Sequence, residues 1–365
     1  MPHEYRHIRS LGIERLGEPY FFGYDEGPAG DGQLRLALMY TGLSAGTELT
    51  FLKGTNPYLH SRWDDRQGLF IPGEPSARFP VNFLGYMEVA RVIDARAPGF
   101  ETGDVLATTF GHKTGHTAHP ADDLLLKMPA GMDPILGIFV AQMGPIAANG
   151  ILHADADQFG AAVPFLGAGV EGRPVLIWGG GTVGLFCALF ARQGGASEIL
   201  VVDPSAFRQD IARKMGFAAM DEGEAVRYAK SAWHDKVGGR GAAYVFQTRA
   251  RSDSLHHCLQ ALRPQGTVID LAFYQGGMDA TRLGEEFHHN GLAIRCAQIN
   301  RMPRPVAHAW DQRRLSQETL RLLDSDGDAI RQHMITHVVP YDEGPDFLRR
   351  LVAERPDFLQ IVFEA

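Results

Sequence analysis

Pro174-Val175-Leu176-Ile177-Trp178-Gly179-Gly180-Gly181-Thr182-Val183-Gly184 is the stretch on which the reading of this chain turns. A short apolar run meets a cluster of glycines and passes into the helical pattern Thr182 to about Gln193. A strand that turns through Gly-x-Gly-x-x-Gly into a helix offers that helix's N-terminal N–H groups to a dinucleotide pyrophosphate. Gly179 permits the tight turn, Gly181 lets the pyrophosphate approach the backbone, and Gly184 lets the helix pack close to the strand. The glycine spacing alone is weak, because glycine-rich turns are common. Its context makes it specific: the next strand-like run, Glu198 to Asp203, ends on an acid about 20 residues beyond Gly181. Asp203 is placed to accept both ribose hydroxyls of the adenosine half, and its charge repels a 2′-phosphate, which favours NAD over NADP. Arg208 qualifies that preference, since a nearby arginine accommodates such a phosphate. The candidate cofactor-binding set is Gly179, Gly181, Thr182, Val183, Gly184, Asp203, Arg208 and Thr248. The plainer alternative is a structural glycine turn with Asp203 capping the next helix.

Downstream, helices and strands alternate: a helix over Ser205–Met215, a strand over Ala242–Thr248, a helix over Ser252–Leu262 and a strand over Gly266–Ala272. Such alternation with short loops implies an α/β, doubly wound parallel sheet with helices on both faces. Leu292 to Ile299 reads as a further strand at the sheet edge, where two subunits could pair. Upstream, the first 130 or so residues read as short strands such as Leu34–Tyr40, Met87–Ala95 and Val105–Thr109, with no helical period of useful length before Pro134. Pro134 to Leu152 reads as one helix. The tail carries helices at Ser316–Asp324 and Pro345–Glu354 and ends on the strand-like Phe358–Phe363, so it breaks the alternation and could return to the first domain.

At 365 residues the chain suits two domains, and 45% hydrophobic with 21% charged residues is a globular composition. A net charge of −8 with scattered basic residues argues against nucleic acid, whose backbone demands clustered Lys and Arg. Met1 to His7 has no apolar core and is not read as a secretion signal. The most apolar stretch, Pro174 to Ala191, is broken by glycines, so no membrane span is expected. Cys187, Cys258 and Cys296 follow no disulfide framework and read as reduced thiols of a cytoplasmic protein.

A β-rich N-terminal unit, a bridging helix, a nucleotide-binding unit and a returning tail together resemble the medium-chain dehydrogenase/reductase family over nearly the whole chain. The resemblance implies a GroES-like β-rich catalytic domain over residues 1–152 and 302–365 and a Rossmann domain over 153–301. It also implies a small-molecule substrate held between the two domains and a homodimer. In zinc-using members a ligand Cys precedes a Thr-Asp pair; the matching stretch here is Thr41-Gly42-Leu43-Ser44-Ala45-Gly46-Thr47-Glu48-Leu49, with Ala45 at the Cys position. The family's Gly-His-Glu falls on Gly85-Tyr86-Met87, so Tyr86 replaces the ligand His, and the third position falls at Gly144-Pro145. The four-cysteine structural lobe is missing as well. Ala, Tyr and Gly do not replace thiolate, imidazole and carboxylate at zinc, so no metal is expected. Ser44 to Glu48 with Gly85-Tyr86, and Phe287-His288-His289-Asn290-Gly291-Leu292, are similar to a zinc-free branch that includes bacteriochlorophyllide-type dehydrogenases; the pigment substrate is not carried across.

Without zinc to stabilise an alkoxide, alcohol oxidation needs a general base and carbonyl reduction a general acid. Tyr86 is the first candidate, as a phenol able to donate to an oxyanion, against the alternative that it merely fills volume. Thr47 keeps the family's hydroxyl position and could relay a proton, or could be a turn residue. Glu48 keeps the family's acid beside the ligands and could orient a neighbour; as a base it is disfavoured if ion-paired. His112, Lys113 and His116, with His119, read as solvated loop residues, and His288-His289 and Trp310 as cleft, packing or dimer residues. The reaction these residues imply is hydride transfer between NAD and a secondary hydroxyl or ketone, with a polyol, sugar or cyclitol suggested by the resemblance. A metal-free double-bond or quinone reductase, a redox-neutral epimerase or lyase with tightly held NAD, and a non-catalytic nucleotide binder remain open alternatives.

Overall fold

The computed structural model describes residues 4–365, so the first three residues of the N-terminal stretch lie outside it. The chain divides into two compact units, Met1–Gln142 with Ile335–Ala365, and Met143–Met334. The second unit therefore runs from 143 to 334, where sequence reasoning drew 153 to 301.

The first unit starts with the hairpin β1 (Arg6–Arg15) and β2 (Glu18–Glu26), turned by Gly17 at φ +78°. β3 (Leu34–Gly42) leads directly into α1 (Ala45–Leu52). A small hairpin, β4 (Ser61–Asp64) and β5 (Leu69–Pro72), precedes β6 (Glu88–Ala95), β7 (Val105–Thr108), β8 (Gly115–Ala118) and β9 (Leu125–Lys127). α1 corrects the expectation of no helix before Pro134. It has only eight residues and no side-chain cap at Ser44, so it offered neither of the usual helix signals.

The expected single helix over Pro134–Leu152 is in fact two pieces, a 3-10 turn Pro134–Phe139 and α2 (Met143–Phe159). Pro145 sits in the first turn of α2, where its missing N–H is harmless and a new helix starts readily. The rest of the second unit comprises β10 (Pro174–Trp178), α3 (Thr182–Gln193), β11 (Glu198–Val202), α4 (Ala206–Lys214), β12 (Ala218–Met220) and α5 (Glu222–Ala232). It continues with β13 (Ala242–Gln247), α6 (Ser252–Ala261), β14 (Leu262–Asp270), β15 (Ala293–Cys296) and α7 (Gln312–His333).

Its six strands lie in the order β12-β11-β10-β13-β14-β15, and every pairing is parallel. β10 is central, with Trp178 opposite Val202 on one side and Gln247 on the other. Because helices cover both faces, Val175–Trp178 and Leu200–Val202 are buried as continuous apolar runs instead of alternating. Leu176, Trp178, Val202, Val245, Leu255 and Val268 form the centre of one core cluster. The order of connection reverses at β10, so the carboxyl ends of β10 and β13 flank a topological switch point. α7 runs for 22 residues, well past the expected Asp324. Asp324 to Asp328 looks like a loop in sequence, yet Leu322, Leu323, Gly327 and Ile330 continue one buried helical stripe.

The tail returns as β16 (Ile335–Pro340), α8 (Gly344–Glu354) and β17 (Gln360–Glu364). The first unit's main sheet runs β16-β17-β3-β6-β7-β9, with β8 also on β3. Its register sets Phe363 against Thr41, Thr41 against Glu88, and Glu88 against Thr108. One row of this mostly apolar sheet is thus polar, and it lies beside α1.

Candidate active site and nucleotide-binding turn

In the second unit the glycines meet the demands read from their spacing. Gly179 has φ +109°, which a side chain rarely adopts. A Cβ on Gly184 would stand 1.8 Å from the Gly179 carbonyl oxygen, so the first turn of α3 lies against the end of β10. A Cβ on Gly181 would meet nothing within 4 Å, which leaves open the side from which a pyrophosphate would come. Gly181 is also the N-cap of α3, and Thr182, Val183 and Gly184 are its first turn. Thr248 donates its hydroxyl to the carbonyls of Trp178 (3.0 Å) and Gly179 (3.1 Å) and so closes the turn from β13.

Asp203 is buried, with Oδ2 accepting the Gly180 N–H and Oδ1 the Ser205 N–H, each at 2.9 Å. Its carboxylate is therefore locked to the glycine turn itself. Ser205, not Asp203, caps α4. The Arg208 guanidinium lies 3.6 Å from Asp203 Oδ2, so the acid and the base read from sequence are neighbours.

In the first unit Tyr86, Thr47 and Glu48 gather at the start of α1. The Tyr86 phenol hydrogen-bonds the Ser44 hydroxyl and donates more weakly to Thr47 Oγ1 at 3.4 Å. Burial holds this phenol above its ordinary pKa; the Ser44 and Thr47 hydrogen bonds pull it down, and the Glu48 charge pushes it up. Glu48 Oε1 accepts the Ser44 backbone N–H at 2.7 Å, and its Oε2 lies 2.6 Å from His112 Nε2. His112 Nδ1 lies 2.8 Å from Thr41 Oγ1.

His112 is wholly buried, which overturns its reading as a solvated loop residue. Nothing in the sequence set it apart from His116 and His119; only the fold brings Thr41, Glu48 and His112 together. Ser44 was missed for the same reason. Both Glu48 carboxylate oxygens are engaged, one by the Ser44 N–H and one by His112. His116 is half-buried against Phe110, and burial with the neighbouring Lys113 charge pushes it down to about 4. His119 is exposed and lies 3.4 Å from Asp122. His288 and His289 are exposed, and Trp310 is buried under the Arg314 guanidinium at 3.7 Å.

Glu88 is the other titratable group of the polar row. It is fully buried, it accepts from Thr108 at 2.7 Å, and its second oxygen has no partner. Burial raises its carboxyl to about 7, against the smaller lowering effects of Thr108, Lys113 and Arg6.

The positions that the family resemblance sets at zinc ligands hold Ala45, Tyr86 and Gly144. Ala45 and Tyr86 supply neither thiolate nor imidazole. At Gly144 a Cβ would fall 2.2 Å from Thr319 Cγ2, so this glycine is kept by the packing of α2 on α7. Among the described residues one set of three metal-capable side chains converges within 4.8 Å, His256, Glu285 and Glu286 of the second unit. There Glu285 pairs with Arg282 and Glu286 accepts from Gln260.

The sheet topologies of the two units are those of the medium-chain dehydrogenase fold. Residues 182–304 match the family described as zinc-binding dehydrogenase. Over 338 residues, 89% of this chain and 90% of the other, the sequence is 22% identical to D-guloside 3-dehydrogenase of Escherichia coli strain K12. A Sinorhizobium meliloti 1021 structure of the zinc-binding dehydrogenase type, bound to NADP, superposes with a TM-score of 0.69 at 18% identity, covering 99% of this chain and 100% of that one. An Escherichia coli CFT073 alcohol dehydrogenase complexed with NADH gives 0.71 at 13% identity, covering 98% and 99%.

Proposed function

We propose that this chain is a zinc-independent, NAD-dependent oxidoreductase of the medium-chain type, of a zinc-free branch. It would move a hydride between NAD and a secondary hydroxyl or ketone of a polyol, sugar or cyclitol. The observation that carries the reading is the hydroxyl set Tyr86–Ser44–Thr47, at the place where the fold's relatives would hold a metal. Bound nicotinamide supplies the hydride acceptor or donor. Gly179, Gly181 and Gly184 would shape the turn for its pyrophosphate, with Thr182 and Val183 in the helix turn that follows, Thr248 bracing the glycines, and Asp203, bonded to the Gly180 and Ser205 N–H groups, offering its remaining lone pairs to the ribose.

Tyr86 holds the proton. A phenol kept above its ordinary pKa stays protonated near neutral pH, so it donates to the oxygen of a ketone as negative charge develops there. Ser44 and Thr47 accept from it or replace its proton after transfer. In the oxidative direction the same group must act as phenolate, a form that burial disfavours. The similarity to a D-guloside dehydrogenase supports a polar, hydroxylated substrate.

We propose further that β15, the edge strand of the parallel sheet, pairs two copies into a homodimer. Cytoplasmic residence fits the three cysteines, which form no disulfide. No described helix is long and apolar enough to cross a membrane.

The test is elemental analysis of the purified protein, then titration with NADH and NADPH, then a panel of polyols, sugars, cyclitols and their ketones. The expected result is metal-free protein that prefers NADH and turns over a panel member in a Tyr86-dependent way. Stoichiometric zinc would overturn the metal-free site. A preference for NADPH would assign Arg208 to the 2′-phosphate and remove NAD from the reading.

A further inference from the structure

We propose that His112 is the positioning residue of the Tyr86 site, its buried ring fixing the helix end that carries Ser44 and its backbone N–H the segment that carries Tyr86. The proposal rests on Tyr86 as the proton donor, and it concerns how that phenol is held.

The first tether runs through the ring. A Glu48 carboxylate requires the proton on His112 Nε2, 2.6 Å away, and in the neutral ring this leaves Nδ1 to accept from the Thr41 hydroxyl at 2.8 Å. The other Glu48 oxygen takes the Ser44 backbone N–H at 2.7 Å. A serine at a helix N-cap ordinarily spends its hydroxyl on the first-turn N–H groups. Here the Ser44 side chain makes no such bond, and Glu48 reaches back to the cap residue instead. The Ser44 hydroxyl is thereby released to meet Tyr86.

The second tether runs through the backbone. The His112 N–H donates to the Leu84 carbonyl at 2.8 Å, two residues before Tyr86. Between them Gly85 has φ +88°, and a Cβ there would lie 3.0 Å from the His112 ring. The absent side chain is what lets the ring lie against this turn. On its far side the His112 carbonyl accepts the Leu11 N–H at 2.9 Å and the Tyr341 hydroxyl at 2.7 Å, and Phe363 packs edge-on to the ring. The ring has no room to re-aim without breaking several of these contacts.

A structural pair that merely satisfied two buried groups would affect stability and leave the Tyr86–Ser44 bond alone. The experiment replaces tyrosine by 3-fluorotyrosine in the full chain and reads the ¹⁹F resonance of Tyr86, identified by its loss in Tyr86→Phe. No nucleotide or substrate is present, so the outcome is independent of whether the hydride-transfer reading holds. His112→Ala is expected to displace the Tyr86 resonance in the same direction as Ser44→Ala, and to add nothing further in a Ser44→Ala background. His112→Gln, which keeps an N–H donor for Glu48, is expected to restore most of the wild-type position. If His112→Ala does not fold, Glu48→Leu breaks the same tether at similar volume, because leucine neither accepts from Ser44 N–H nor bonds the ring, and is read the same way. A Tyr86 resonance unmoved by His112→Ala or Glu48→Leu overturns the proposal. So does a displacement that persists undiminished when Ser44 is already alanine.

Discussion

The glycine turn supports a prediction in which two near-identical substitutions separate folding from binding. A methyl group on Gly184 would start 1.8 Å from the Gly179 carbonyl oxygen, and real Cβ atoms essentially never come within 3.0 Å. The backbone must therefore part by more than 1 Å at a carbonyl that also accepts the Thr248 hydroxyl at 3.1 Å. Overpacking of this kind costs about 1–3 kcal/mol, and weakening the threonine bond adds about 1 kcal/mol. Removing glycine from the first turn of a helix returns up to about 1 kcal/mol. The expected net loss for Gly184→Ala is about 1–3 kcal/mol, together with weaker dinucleotide binding. Gly181→Ala differs in both respects. Its Cβ meets nothing within 4 Å and its φ of −79° suits any residue. Alanine is a poorer N-cap than glycine by about 0.5–1 kcal/mol, while the stiffer unfolded chain returns about 0.4–1 kcal/mol. Stability should thus stay within about 0.5 kcal/mol of wild type. The methyl would nevertheless occupy the side from which the pyrophosphate approaches, so NADH affinity should fall about tenfold or more, or at least 1.4 kcal/mol. Urea unfolding and fluorescence titration with NADH measure both quantities on the same samples. A Gly181→Ala protein that folds and binds NADH as wild type does would refute the assignment of that space to the pyrophosphate.

Three further outcomes follow from the same geometry. Tyr86→Phe removes the proton donor and leaves the nucleotide turn untouched, so turnover should drop by about 10²–10⁴-fold at unchanged NADH affinity; equal turnover would remove Tyr86 from the chemistry. Asp203→Ala takes the acceptor from the Gly180 and Ser205 N–H groups and releases Arg208, so preference for NADH over NADPH should fall by about tenfold, about 1.4 kcal/mol, in paired titrations. Glu88 has a folded pKa raised by burial from 4.5 to about 7, so the folded state holds its proton longer than the unfolded chain does. Its contribution to stability is full below about pH 4.5 and is lost as pH rises toward 7, by about 3 kcal/mol at most. Glu88→Gln, unfolded in urea at pH 5 and pH 8, should lose less stability between the two than wild type; an identical difference would mean that Glu88 is already ionised across that range.

The parts legible in the sequence were those whose signal is local. Val175 to Trp178 is apolar because both faces of β10 are covered, Gly179 takes a positive φ, and Gly184 packs on the Gly179 carbonyl five residues away. Strand, turn and helix therefore announced themselves. α1 did not, because its N-terminus is held by Glu48 and a distant histidine instead of by its own cap. α7 was cut short for a related reason: Asp324, Ser325, Asp326 and Gly327 read as a stop, and only burial of Leu323, Gly327 and Ile330 on neighbouring helices carries the helix through them. Propensity lost to packing in both places.

The site shows a sharper version of the same division. The family resemblance set Ala45, Tyr86 and Gly144 at the positions of zinc ligands in zinc-using members, and the structure shows what surrounds each of them. At Gly144 the constraint is steric, since any side chain would enter the space of Thr319. A carboxylate there would demand repacking of α2 on α7. At Tyr86 the constraint is chemical. A phenol needs a partner that fixes its direction without taking its proton, and a serine hydroxyl does this where an unpaired carboxylate would not. His112 and the Ser44 N–H occupy both oxygens of Glu48. In the proposed mechanism that pairing leaves the proton on Tyr86, and the role proposed for Glu48 is to hold the serine in place.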